Sequence, residues 1–159
     1  MRSHAAANER TSGETLSTLA WREKTGSWPR NQALANPSLP VSALTHLAVD
    51  PSVMVEVRRN PSTPAAVARI ISEEFSSKSL AAADDRTLIG LLQGTQKVDS
   101  SSMSRWNGQV FNEARTNIQA EVMNRSRLVS RLLGIPNDKS TAQLLRDHPS
   151  QVKSMFGWA

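Results

Sequence analysis

Cysteine is missing altogether from the 159 residues. Disulfide frameworks, thiolate metal sites, cysteine nucleophiles and iron-sulfur clusters are thereby excluded together. No stretch approaches the roughly 18 consecutive apolar residues of a membrane span. The opening residues, Met1 to Gly13, are too polar to hold the apolar segment of a secretory leader. A soluble, cytoplasmic protein is the expectation, with export by a leader of another type left open. Also lacking are a glycine loop that cradles phosphate, zinc-ligand spacing, a nucleophile elbow and a pair of carboxylates placed for acid-base work. The histidines, His4, His46 and His148, stand far apart, and His46 falls on an outward helical position where a solvated side chain is expected. Enzyme activity is therefore not expected, and neither a cofactor nor a membrane is anticipated as a partner.

What remains is a chain that can fold and is unevenly charged. Hydrophobic residues make up 38% and charged residues 21%, so it can bury a core, and its length suits one domain. The net charge is +5. Residues 1–104 carry eleven Lys/Arg against ten Asp/Glu, whereas residues 105–159 carry eight against four, so most of the surplus lies at the C-terminal end. A basic end of this kind attracts acidic partners, nucleic acid included, through steering that salt weakens.

The most informative feature is a repeat. Asn36-Pro37-Ser38-Leu39-Pro40 and Asn60-Pro61-Ser62-Thr63-Pro64 share their punctuation at a spacing of 24 residues. A fixed period of this size marks stacked units that bury their apolar faces against one another. In the second unit Thr63 is placed to cap a helix that begins at Pro64. Val67, Ala68, Ile70 and Ile71 give that helix an apolar stripe, and its predicted end is near Phe75. In the first unit Ala43, Leu44, Leu47 and Ala48 form the equivalent stripe before Asp50-Pro51. Between the two, Val53 to Arg59 alternates like a strand but has no partner run, so a short helical turn is expected there.

Upstream, Leu16-Ser17-Thr18-Leu19-Ala20 parallels Leu44-Thr45-His46-Leu47-Ala48 at an offset of 28, which requires four extra residues near Thr25-Gly26-Ser27. Downstream, Asp84-Asp85-Arg86-Thr87-Leu88-Ile89 falls 24 residues after the second element without its prolines. Both are expected as degenerate end units, because terminal repeats must face water.

Leu47-Ala48-Val49-Asp50-Pro51 and the run Val55-Glu56-Val57-Arg58-Arg59-Asn60-Pro61-Ser62-Thr63-Pro64-Ala65-Ala66-Val67 resemble the leucine-rich repeat variant family. Units of that family have the same length and carry an Asn-Pro-x-Thr-Pro element. The resemblance covers residues 31–75 and implies alternating α and 3₁₀ helices wound into a right-handed superhelix. The family's prototype holds a cysteine-bound iron-sulfur cluster beside its repeats, which this chain has no thiols to bind.

After a serine-rich joint, Trp106, Val110, Phe111, Ala114, Ile118, Val122, Val129 and Leu132 fall on roughly one helical face, predicting one long helix that ends at Gly134-Ile135-Pro136. Ser140 with Gln143 forms a capping box for a helix through Leu144 and Leu145, and residues 151–158 add a further turn. The expected fold is all-α: a right-handed α-solenoid of short helical repeats followed by a C-terminal helical segment. Its divisions are a disordered N-terminus (1–7), the repeat region (8–95), the joint (96–104) and the C-terminal segment packed on the repeats (105–159).

Two functions suit this reading. One is a non-catalytic protein-protein interaction module that presents a curved helical surface. The other is a nucleic-acid-binding protein whose basic helices touch the phosphate backbone. Arg58, Arg59, Arg69, Arg115, Arg125 and Arg131 are the candidate contacts to a partner or to phosphate, since a guanidinium binds oxyanions in a fork. A solvated surface explains the same arginines. Trp28 and Trp158 are candidate anchors for a partner, whereas Trp106 is expected in the core.

Overall fold

The computed structural model describes residues 2–22, 27–134 and 140–156, and every regular element among them is a helix. Three helix-turn-helix units come first. They comprise α1 (Arg2–Ala7) with α2 (Gly13–Arg22), α3 (Trp28–Ala35) with α4 (Val41–Leu47), and α5 (Met54–Arg59) with α6 (Ala65–Ser72). In each unit the first helix runs into an asparagine: Asn8, Asn36 and Asn60. The turn that follows is closed by an amide three residues on, which donates to the asparagine carbonyl: Thr11 at 3.0 Å, Leu39 at 3.1 Å and Thr63 at 3.1 Å. The side-chain oxygen of each asparagine accepts from the amide two residues on, Arg10, Ser38 and Ser62, at 2.8–2.9 Å. Asparagine suits this place because its oxygen holds the turn while its NH₂ group remains available as a donor.

That donor ties each unit to the one before it. Asn36 Nδ2 donates to the carbonyls of Ala6 (2.9 Å) and Asn8 (3.0 Å), and Asn60 Nδ2 to those of Leu34 (2.6 Å) and Asn36 (3.0 Å). Two residues on, Ser38 Oγ donates to the Glu9 carbonyl at 2.6 Å, and Ser62 Oγ donates to the Pro37 carbonyl. The carbonyls at the end of a helix have no partner within it, and leaving one buried and unpaired costs about 1–3 kcal/mol. The ladder supplies those partners, and it sets α1 against α3 and α3 against α5.

Several expectations change here. Residues 1–7 are predicted to be disordered, yet residues 2–7 form α1, and Ala6 is fully buried where Asn36 reaches it. Thr63 does not cap α6. Its hydroxyl turns back to the carbonyl of Val57, and Pro64 takes the capping position without a side-chain bond. Of the alternating run Val53 to Arg59, Met54–Arg59 forms α5 with Val53 as its cap, as the lack of a partner strand implies. The four extra residues expected near Thr25-Gly26-Ser27 fall where residues 23–26 lie outside the described residues, and Ser27 caps α3.

Beyond the third unit the pattern changes. α6 stops at Ser72, short of Phe75, because Glu74 and Phe75 take left-handed backbone angles (φ 56° and 55°) and reverse the chain. α7 (Ser77–Ala81) begins at Ser76 and α8 (Asp85–Lys97) at Asp84, each capped by its own side chain. Asp84 keeps the spacing of 24 from Asn60 but starts a helix, whereas Asn60 ends one. α8 lies against α4. Its glycines allow the approach: a Cβ on Gly94 would stand 2.9 Å from His46 Cα, and one on Gly90 2.7 Å from Thr45 Cγ2. His46 is half-buried beside α8, with Nε2 3.2 Å from Gln93 Oε1 in an exposed contact.

The long C-terminal helix is two helices, α9 (Arg105–Met123) and α10 (Ser126–Leu133), broken at Asn124 and Arg125. Arg125 leaves the helical region (φ −109°, ψ 81°) and places its guanidinium on Asp85 (3.0 Å), Glu121 (2.9 Å) and the carbonyls of Leu80 and Ala81 (both 3.2 Å). These tertiary bonds outweigh continuation of the helix. α10 ends at Gly134, whose φ of 69° suits a residue without a side chain. α11 (Thr141–Asp147) carries the predicted capping box of Ser140 and Gln143, and α12 (Pro149–Met155) follows it. The core runs through both parts, from Leu16, Leu34 and Leu44 to Leu88, Phe111 and Ile118.

Candidate functional site

The buried ridge of α9 is Phe111, Ala114, Ile118 and Val122, in steps of three and four. Trp106 stands five residues before Phe111, which is about 140° around the helix at 3.6 residues per turn. It is therefore not a core residue: 73% of its surface is exposed. Its indole lines a cleft of about 460 Å³ between α9 and the third repeat unit. Met54 of α5, Ile71 of α6, Phe75 and Val110 supply the other apolar walls. Two carboxylates, Glu74 and Glu113, also line it.

The left-handed pair Glu74-Phe75 shapes this cleft. A bulky residue rarely adopts such angles, at a cost of about 1–2 kcal/mol per residue, so the surroundings must impose them. Phe75 is 98% buried, its amide donates to the Ile70 carbonyl at 2.9 Å, and its carbonyl accepts from Asn117 Nδ2 at 3.0 Å. The ring anchors the reversal while Glu74 is turned outward to the cleft.

One face of α5 borders the same region. The position held by Ala6 in the first unit and Leu34 in the second is fully buried in both. In the third unit, 24 residues after Leu34, it is Arg58, and Arg58 is exposed. Arg59 is exposed beside it, and Val55 exposes 46% of its surface. The last first-helix of the repeat thus shows an open face, one turn along from Met54.

Other candidate contacts are engaged elsewhere. Arg125 is tied as described, and Arg131 Nη2 reaches the other oxygen of Asp85 at 2.8 Å, so these two meet on one carboxylate. Burial works against the charge on Arg125, but the bonds from Asp85 and Glu121 outweigh it and raise its pKa above that of free arginine. Arg69 pairs with Glu73 on α6 at 3.0 Å. Arg115 bonds Asn112 Oδ1 at 3.0 Å and lies over the Phe111 ring. Trp28 is 63% exposed at the start of α3, and Trp158 lies outside the described residues. The arginines are not gathered on one strip. Arg58 and Arg59 stand on α5, while Arg125 and Arg131 clamp α10 to the start of α8.

A second cleft, of about 530 Å³, lies where Trp21, Arg30, Asp50 and Lys97 meet the joint at Asp99. Its charges serve the fold. Arg30 donates to the Ala20 carbonyl (2.8 Å) and pairs with Asp50 (3.7 Å), Asp50 and Asp99 each hold a serine two residues on, and Lys97 sits 4.3 Å above the Trp21 ring. Among the described residues no three His, Asp or Glu side chains stand close enough to hold a metal ion, and no helix is long and apolar enough to cross a membrane.

Sequence reasoning missed two elements of this arrangement. The first is Trp106, whose offset from Phe111 signals its exposure. The second is the first rung of the ladder, Asn8-Glu9-Arg10-Thr11, which the offset of 28 between Leu16 and Leu44, applied to Asn36, would have found. No protein-family model matches the chain, and no curated protein or solved structure matches it either.

Proposed function

We propose that this chain is a non-catalytic protein-interaction module, a short α-solenoid of stacked units that holds a partner in the cleft between α9 and the third unit. The observation that carries this reading is Trp106. A large apolar ring, 73% exposed beside Met54, Ile71 and Val110, contributes little to the core and is placed to be buried by something else. Tryptophan is among the residue types that most often anchor an interface. Stacking supports the reading as well, because the asparagine side chains bond the three units to one another and α5 and α6 supply one wall of the cleft.

Binding of nucleic acid through the C-terminal arginines draws less support. Arg125 is committed to two carboxylates and two carbonyls, and Arg131, although 63% exposed, spends one nitrogen on Asp85.

The test compares the purified chain with Trp106→Ala as bait at salt above physiological strength. The variant should keep the thermal midpoint of the parent, since Trp106 is exposed. A protein retained by the parent and lost with the variant supports the reading. Equal retention by both, or recovery of nucleic acid alone, removes it.

A further inference from the structure

The repeat ladder is unfinished at its third rung. Asn36 donates to the carbonyls of Ala6 and Asn8, and Asn60 to those of Leu34 and Asn36. The equivalent acceptors on the third unit are the carbonyls of Arg58 and Asn60. Among the described residues no asparagine side chain from a later element donates to them. The next element at the right spacing, Asp84, is engaged in capping α8 through Thr87. The acceptors of a fourth unit are thus in place without the unit.

Met54, one turn before Arg58 on α5, opens onto the cleft beside α9. Met54 and Arg58 are one ridge, four residues apart on α5, and Trp106, Val110 and Glu113 are another, at steps of four and three on α9. Met54, Trp106, Val110 and Glu113 line one cleft, with Ile71 forming part of its wall. Two helical ridges facing a common space leave a groove that suits the ridge of a third helix, and an extended segment would leave much of it unfilled.

We propose that this groove receives an amphipathic helix from another protein, which takes the place of a fourth first-helix against α5. Charge defines the chemistry of that helix. Glu74 and Glu113 call for Lys or Arg along the edge that faces α9, and Arg58 and Arg59 call for Asp or Glu along the edge that faces α5. Its inner face carries large apolar side chains at i, i+3, i+4 and i+7, and a polar amide after its last turn can bond the carbonyls of Arg58 and Asn60. The exposed Arg58, standing where Leu34 stands in the unit before, disfavours a second copy of this chain, whose α1 offers no carboxylate in its described side chains. This inference rests on the interaction reading above and specifies its partner.

An unbiased library of peptides of about four helical turns, displayed on yeast and selected against the full chain, tests it. Selected peptides should show apolar residues at helical spacing with a basic edge. Their binding should weaken at least roughly tenfold with Trp106→Ala and with Glu113→Lys. Peptides in which the facing Lys or Arg is changed to Glu should regain affinity for Glu113→Lys. Binders that need Trp106 but lack helical spacing, or that show no exchange of charge preference, would overturn the helix while leaving protein binding intact. No Trp106-dependent binder at all would remove both. Concentration-dependent self-association of the parent, abolished by Trp106→Ala, would make the occupant a second copy and also overturn the proposal.

Discussion

The three repeat units and the helices after them solve the same problem with different chemistry. In both regions, carbonyls at helix ends need donors from elsewhere in the chain. Among the units the donors that recur are neutral, the amides of Asn36 and Asn60 and the hydroxyls of Ser38 and Ser62, while a cation, Arg30, serves the Ala20 carbonyl once. Around α7 to α10 the donor is a cation, Arg125, which bonds the carbonyls of Leu80 and Ala81 while pairing with Asp85 and Glu121. A neutral donor can recur at fixed spacing because each rung is independent of net charge. The first region is periodic in sequence, and the second, gathered around one arginine, is not.

The largest effect should come from removing a rung. Asn60→Leu keeps similar bulk but leaves the Leu34 and Asn36 carbonyls without their side-chain donor in a site only 4% exposed. A loss of about 3–4 kcal/mol in chemical denaturation is expected. Asn8→Ala, at the open start of the ladder, should change stability by no more than about 0.5 kcal/mol. A similar loss for both would break the comparison.

Close packing of α8 on α4 should be nearly as sensitive. Gly94→Ala forces a methyl group against the backbone of His46, for an expected loss of about 2–3 kcal/mol even after the gain in helix propensity. Gly108→Ala on α9 meets nothing within 4 Å and should stabilise by about 0.5–1 kcal/mol. Thermal unfolding of the two variants measures both.

Arg125→Met removes the hub and should destabilise by about 2 kcal/mol, because the network is partly exposed and solvent compensates in part. Arg131→Met, whose side chain is 63% exposed, should cost no more than about 0.5 kcal/mol.

The smallest effect is on pH dependence. Thr87, through its hydroxyl and then its backbone amide, holds the Asp84 carboxyl below the ordinary value of 3.8. A lowered folded value means that stability is present above the unfolded value and is lost as pH falls through the folded one. Acid titration of the unfolding midpoint should therefore show a small loss below pH 3.8 that Asp84→Asn removes.

Much of the fold was legible where the chain uses residues with fixed local meaning. Asn36-Pro37 and Asn60-Pro61 mark turns by restricting the backbone, and Ser140 with Gln143 marks a helix start, so those features follow from spacing. The first rung lacks prolines, and its turn at Asn8 rests on hydrogen bonds alone, so composition hid it. The break at Arg125 was hidden for another reason: its partners, Asp85 and Leu80, lie at least 40 residues away. The arginines were visible as residues, but their charges could not be assigned to surface or fold without those partners. Of the cleft, only Trp106 carried a signal, in its offset of five from Phe111. Glu74 and Glu113 had none, because neither is near the other in sequence.

The central claim is that Asn36 and Asn60 are closed rungs of one ladder while Asn8 begins it. Hydrogen exchange of the three side-chain NH₂ groups, followed by nuclear magnetic resonance, tests this directly. The account predicts that the amides of Asn36 and Asn60 are protected from exchange and that the amide of Asn8, exposed at the surface, exchanges freely. Exchange at Asn60 as fast as at Asn8 would contradict it.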